Sequence, residues 1–257
     1  MDLFKKAILK YGLGGKPSDK FRKVFYCHVP KCAGTSISDQ VRLELCSGYR
    51  VNTFHLKLWS TKKASQALNQ DLATMRKSLL AYNLALPENY FGSGHINCPP
   101  QITHFFADEW DFITIMRNPV DRWISEYVYN TYKGSDWLKN ELPLEEYIES
   151  DVGLSTGMSY VNYFSSKSCL IENDIDFYAS EAIDNLKTFK VVGAVENLDK
   201  WSKMFFSVYG KNITVPSRNA TPNRELVDKI RSSQELMRKI ESICEVDTYI
   251  YNELINK

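Results

Sequence analysis

Pro30-Lys31-Cys32-Ala33-Gly34-Thr35-Ser36 sets a lysine, a glycine and two hydroxyl residues in front of a helical pattern. A strand, a tight loop and a helix N-terminus in that order aim backbone N–H groups, those of Cys32 and Ala33 among them, at an anion. Gly34 lets the backbone approach a phosphate closely, and Thr35 and Ser36 offer hydroxyls that can also cap the helix. Lys31 adds a compact positive charge with the reach to touch a bridging oxygen. An ATP or GTP loop needs G-x-x-x-x-G-K-[ST], with lysine after the glycine and beside the hydroxyl that holds magnesium. Here lysine precedes glycine by three positions, which disfavours a variant P-loop kinase. Taken alone, the loop also reads as a capped helix with a solvated lysine.

A second anion site is suggested where Asp111–Met116 runs into Arg117-Asn118-Pro119-Val120-Asp121-Arg122-Trp123-Ile124-Ser125-Glu126-Tyr127. Arginine at a strand end is placed for a bidentate grip on phosphate. Ser125, eight residues on, has the reach to donate a hydroxyl to the same group. Arg122 reads as a brace for the loop. A lone arginine near a strand end would otherwise suggest a surface salt bridge.

Moving a group onto a hydroxyl also needs a general base, and histidine suits because its unperturbed pKa is ~6.5. The four histidines are His28, His55, His95 and His104. His95 follows Phe91-Gly-Ser-Gly94, where glycines permit close approach of a substrate. His104 is the reserve, a carboxylate base is a further alternative, and His28 reads as a buried strand residue.

The order P-K-x-x-G-T-S after an aromatic strand resembles the 5′-phosphosulfate loop of sulfotransferases that use 3′-phosphoadenosine-5′-phosphosulfate (PAPS). Phe25–Ser36 is most similar to the carbohydrate, hexuronyl 2-O-type branch of that family. R-[DN]-P-x-x-R-x-x-S-x-Y resembles the family's 3′-phosphate motif, with Arg117 and Ser125 as ligands. A 3′-phosphate separates PAPS from ATP. Three shorter stretches follow in the family's order. Val192–Asp199 resembles its structural "vG-x-x-E-x-x-D" strand, and Arg218-Asn219-Ala220-Thr221 the loop that folds over the nucleotide. Asp247–Tyr251 resembles its closing helix, and His95 the "G-H" base of the uronyl branch. The resemblance spans residues 22–251. It implies transfer of a sulfuryl group from PAPS to a hydroxyl of a carbohydrate-like acceptor, with PAP as product and no metal. It makes Lys31 the group that stabilises the bridging oxygen as charge develops there. Residues 46–90 and 133–188 carry no nameable motif and are the expected seat of acceptor choice. A non-catalytic PAP- or glycan-binding module is the rival from another class.

Several elements must position these residues. Lys23–Val29 is rich in β-branched and aromatic residues and ends at proline, which predicts a strand. Ile37, Val41 and Leu45 recur every four residues, so Thr35–Cys46 is expected to be a helix that Gly48 stops. Thr61–Tyr82 reads as one longer helix, and Glu225–Tyr251 as mostly helical with a break near Cys244. Tyr90–Ile96, Asp111–Met116 and Phe189–Ala194 read as strands, and Pro119 opens a helix to about Tyr132. Strands alternating with helices predict an α/β fold, a central parallel sheet with helices on both faces. Such sheets bind ligands at the carboxyl ends of their strands.

The chain has 257 residues with no repeat, which suggests one domain with residues 1–21 as an extension. Lys plus Arg is 32 and Asp plus Glu is 31, so no global field exists to hold a nucleic acid or another polyanion. Anion sites must be local. The six cysteines form no C-x-x-C pair and read as single thiols. Residues 1–16 lack the apolar region of a signal peptide, and no run reaches the ~18 apolar residues of a membrane helix. The expectation is a cytoplasmic protein, or else a trimmed Golgi-lumenal domain, with Asn212-Ile-Thr and Asn219-Ala-Thr as chance sequons.

Overall fold

The computed structural model describes residues 21–136, 138–166, 174–214 and 223–256. Five strands form one sheet: β1 (Lys23–Cys27), β2 (Asn52–Leu56), β3 (Asn89–Gly94), β4 (Trp110–Met116) and β5 (Val191–Ala194). The sheet runs in the order β2-β3-β1-β4-β5. Every neighbouring pair is parallel, as in Phe25 opposite both Gly92 and Phe112. Successive side chains of Val24–Cys27 point to opposite faces, yet all are fully buried. Both faces are therefore covered, the condition under which a parallel strand reads as a continuous apolar run.

The helices are α1 (Gly34–Cys46), α2 (Leu58–Ala67), α3 (Leu72–Ala85), α4 (Pro100–Phe105) and α5 (Pro119–Tyr132). They continue with α6 (Leu144–Glu149), α7 (Asp151–Gly157), α8 (Ser159–Phe164), α9 (Ile175–Thr188) and α10 (Leu198–Tyr209). The C-terminal run is α11 (Arg224–Ser232), α12 (Gln234–Ile243) and α13 (Glu245–Ile255). The main core joins the sheet to its flanking helices, and a second cluster packs Trp123, Tyr127 and Val128 of α5 against Tyr147, Ile230 and Ile240. Among the described residues no helix is long and apolar enough to cross a membrane.

The chain leaves β1 toward β2 and leaves β4 toward β5, so the connections of these two adjacent strands diverge. A crevice opens at their carboxyl ends, the switch point where such sheets bind ligands. Lys31 and Arg117 follow these two strands.

Three expectations need correction. The single helix over 61–82 is two, because Asn69 turns left-handed (φ 49°) and the Asp71 side chain caps α3 by accepting from the Thr74 N–H at 2.9 Å. Leu68 is in that break and is 64% exposed. Strand β2 lies unpredicted between α1 and α2, at the sheet edge where half-burial weakens the apolar signal. The C-terminal stretch breaks at Cys244 as expected but also at Ser233, whose hydroxyl caps α12.

Candidate active site

The loop after β1 holds two non-glycine residues in the left-handed region, Lys31 (φ 66°) and Ala33 (φ 54°). That conformation is costly for an L residue and clusters where function demands a particular backbone shape. Ala33 is the N-cap of α1 and makes no side-chain cap bond, so the cap position leaves the first-turn N–H groups unsatisfied by a side chain of its own. Thr35 and Ser36 fall inside that turn rather than ahead of it, so neither is the expected cap. The Cys32 thiol points inward, donating to the Pro30 carbonyl at 3.6 Å, and burial pushes its pKa up to about 12. Only its backbone is left to face an anion.

Gly34 has a packing role that its type alone did not suggest. A Cβ there would lie 1.8 Å from His28 Cδ2, so the missing side chain makes room for the His28 ring. His28 is 5% exposed, just beyond the end of β1. Its ring meets that of His95 with centroids 3.9 Å apart, and its carbonyl lies 2.9 Å from His95 Nδ1. A carbonyl only accepts, so Nδ1 carries the proton and Nε2 of the neutral ring keeps its lone pair. Burial lowers the His95 pKa to about 4, with the bond to His28 opposing and the Arg76 charge assisting. His95 is thus a neutral imidazole with a fixed tautomer at neutral pH. His104 sits exposed in the last turn of α4 and does not line the cleft described below.

The second loop explains its own sequence. Asn118 caps α5 by accepting from the Val120 and Asp121 N–H groups at 3.1 and 3.2 Å, and Pro119 takes the first helical position. The Asn118 N–H donates to Glu196 at 2.8 Å, and Glu196 also accepts from the Tyr251 hydroxyl at 3.0 Å. The strand motif and the closing helix therefore meet on this loop. Arg117 is half-buried, and Ser125 lies two turns into α5, one turn from Tyr129. Arg122 is fully buried, pairs with Glu126 at 2.5 Å and donates to the Thr156 carbonyl, so its side chain ties α5 to α7 rather than bracing the loop itself. Asp247 is also fully buried and accepts from the Tyr160 and Val161 N–H groups at 2.8 and 3.2 Å, holding the start of α8.

Tyr160 was not foreseen. Its hydroxyl accepts from the Arg117 N–H at 2.8 Å, donates to the Arg117 carbonyl and approaches Cys32 Sγ at 3.9 Å. One side chain from α8 thus joins both loops. It lies in the stretch 133–188, where no motif flagged it. Tyr129 was also missed, although its four-residue spacing from Ser125 was a usable signal.

Beside the loops opens a cleft of about 1080 Å³ whose walls include Lys31, His95, Arg76, Glu126, Tyr129 and Lys133. Lys31 Nζ lies 3.6 Å from the centroid of the Tyr129 ring, a cation–π contact. Burial lowers the Lys31 pKa to about 8, with Glu126 opposing and the Arg117 and Lys133 charges assisting. The residues proposed as base and as cation thus face one space. Asn97, Asp151 and Asn162 line it too, the last two from the stretch 133–188, where no motif was read. Arg218, Asn219 and Thr221 lie outside the described residues, as does Cys169. The other five cysteines are buried and free.

No individual curated protein matches the chain. A family profile described as the sulfotransferase family does, over residues 18–252, a span that contains both loops, His95 and every strand of the sheet. The chain belongs to the sulfotransferase family.

Proposed function

We propose that the chain transfers the sulfuryl group of PAPS to a hydroxyl of a carbohydrate acceptor of the hexuronyl 2-O type. The observation that carries this reading is the convergence of Lys31 and His95 on one cleft next to two loops suited to anions. The donor fits the residues present. The first-turn N–H groups of α1 have no side-chain cap, and the left-handed turns at Lys31 and Ala33 shape the loop ahead of them. Among the described residues neither Lys31 nor Arg117 has a carboxylate within salt-bridge distance, which leaves both cations for phosphate.

Bound PAPS would supply an activated sulfuryl group with a phosphate leaving group. Each residue then has one task. Cys32, Ala33, Gly34, Thr35 and Ser36 offer backbone donors to the 5′-phosphosulfate, and Arg117 and Ser125 hold the 3′-phosphate. Lys31 stabilises charge on the leaving oxygen. His95, with its proton locked on Nδ1, takes the acceptor proton on Nε2. Arg76, in the wall of the cleft, brings a positive charge suited to an acidic sugar.

The test is incubation with PAPS and a panel of uronate-containing and neutral saccharides, read by mass spectrometry, with His95→Ala as control. Added sulfate on a sugar hydroxyl with equimolar PAP supports the reading. PAP binding without turnover on any acceptor would replace it with a non-catalytic binding module.

A further inference from the structure

The ammonium of Lys31 is held by a ring and not by a carboxylate. Its Nζ stands 3.6 Å from the centroid of the Tyr129 ring, well inside the ~6 Å reach of a cation–π contact. Both ends of the contact are fixed by the fold. Lys31 sits in the left-handed region (φ 66°), and the Arg117 guanidinium donates to its carbonyl at 3.3 Å. Tyr129 projects from α5 one turn after Ser125. Lys133, a turn later, comes only to 5.8 Å from the same ring. Its Nζ donates instead to Asn130 Oδ1 at 2.9 Å and to the Leu138 carbonyl at 2.7 Å. The ring is thus left to Lys31.

We propose that Tyr129 is a positioning residue for sulfuryl transfer, its ring holding the Lys31 ammonium in the cleft without neutralising it. The proposal rests on the reading above, in which Lys31 acts on the leaving oxygen, and names what keeps Lys31 ready for that task. A carboxylate in the place of the ring would accept the ammonium's hydrogens and cancel the charge that the bridging oxygen needs. A solvated lysine would have to freeze its flexible four-carbon stem at every turnover. The ring avoids both, because its quadrupole attracts the cation while the N–H donors stay available to an oxygen. The surrounding charges make such a partner necessary. Burial lowers the Lys31 pKa to about 8, Glu126 and Cys32 oppose that, and the Arg117 and Lys133 charges add to it. Glu126 is itself paired with Arg122 at 2.5 Å. Direct support for the ammonium therefore falls to Tyr129.

The experiment changes the electronics of the ring at nearly constant shape. Tyr129→Phe and Tyr129→pentafluorophenylalanine are compared with the parent, using PAPS and a glucuronate–N-acetylglucosamine disaccharide. Three readouts are taken: the single-turnover rate at saturating PAPS, the pH profile of kcat/KM for the donor, and an NMR titration of Lys31 in 13C-lysine-labelled protein without ligand. Tyr129→Phe keeps the ring and is expected to match the parent within about twofold in all variants of the rate measurement. The pentafluoro ring, which no longer attracts a cation, should slow the rate about three- to tenfold. It should also lower the Lys31 pKa by about half a unit to one unit, moving the alkaline fall of kcat/KM down with it. PAP affinity should change by no more than about twofold in either variant, since Ser125 stays in place on α5. A pentafluoro variant that equals Tyr129→Phe in rate and in Lys31 titration would overturn the positioning role and leave the transfer reaction standing, as would a Phe variant that loses as much. If the parent sulfates neither this disaccharide nor any saccharide of the panel, the reading of the site fails and this role fails with it.

Discussion

The Arg117 guanidinium donates to the backbone carbonyl of Lys31 at 3.3 Å, tying the loop after β4 to the loop after β1. The bond is long for an N–H···O contact, so most of the guanidinium's donor capacity remains for a ligand. Arg117→Ala is expected to weaken PAP binding about tenfold or more, since a hydrogen bond to a charged group is worth roughly 1.5–3 kcal/mol. Adenosine 5′-phosphosulfate, which lacks the 3′-phosphate, should lose far less. Calorimetry on both ligands checks this, and equal losses would reduce Arg117 to a tie between loops.

Tyr160 predicts a loss of stability and of binding together. Tyr160→Phe keeps the ring in its fully buried site but leaves the Arg117 N–H and carbonyl without their partner. An unsatisfied buried polar group costs about 1–3 kcal/mol, so the midpoint of urea unfolding should fall with unchanged slope. PAP affinity should also fall, because the hydroxyl fixes the backbone that carries Arg117. Unchanged affinity would place Tyr160 in the fold alone.

Gly34→Ala should act through His28. The added methyl meets the ring at 1.8 Å, and the ring in turn contacts His95. Overpacking of this kind costs about 1–3 kcal/mol, visible as a lower melting temperature. The kcat should fall more than PAP affinity does, since the base is displaced while the loop's N–H groups stay. His28→Gln in the Gly34→Ala background should restore part of kcat by removing the clash.

The pH profile follows from two groups. His95 must be neutral to accept a proton, and its pKa near 4 leaves it so through the neutral range. Lys31 must be cationic, and with a pKa of about 8 it loses its charge as pH rises through that value. The kcat/KM for the donor, which reports the free enzyme, should therefore be flat near pH 6–7 and fall above about 8. In kcat the fall should come at higher pH, because bound anions favour the ammonium. Lys31→Arg, always charged, should abolish the alkaline limb while remaining slow.

Much of this was legible in the residues, and the exceptions have physical causes. Arg117 and Lys31 follow strands whose apolar runs announce a buried parallel sheet, so both loops could be placed without coordinates. Pro119–Tyr132 was exact at both ends because Asn118 and Pro119 encode a start locally. Tyr160 and Arg76 were illegible, since each reaches the site only through the packing of distant helices. Gly34 was read only for its approach to a phosphate, and the room it makes for His28 was illegible because that ring arrives from beyond the end of β1. The helix over 61–82 failed on a left-handed Asn69 that apolar spacing does not register.

The central claim is that Lys31 acts on the transition state of sulfuryl transfer. Its ammonium rests 3.6 Å from the Tyr129 ring, in the cleft that His95 also lines. Charge on the leaving oxygen grows only as the bond to sulfur breaks, so the stabilisation belongs mainly to the rate. The decisive measurement is the single-turnover rate at saturating PAPS for Lys31→Ala, beside its PAPS Kd. The account predicts a rate lower by about 10²–10³ with a modest change in Kd. A collapsed affinity with an unchanged rate at saturation would make Lys31 a ground-state anchor and contradict it.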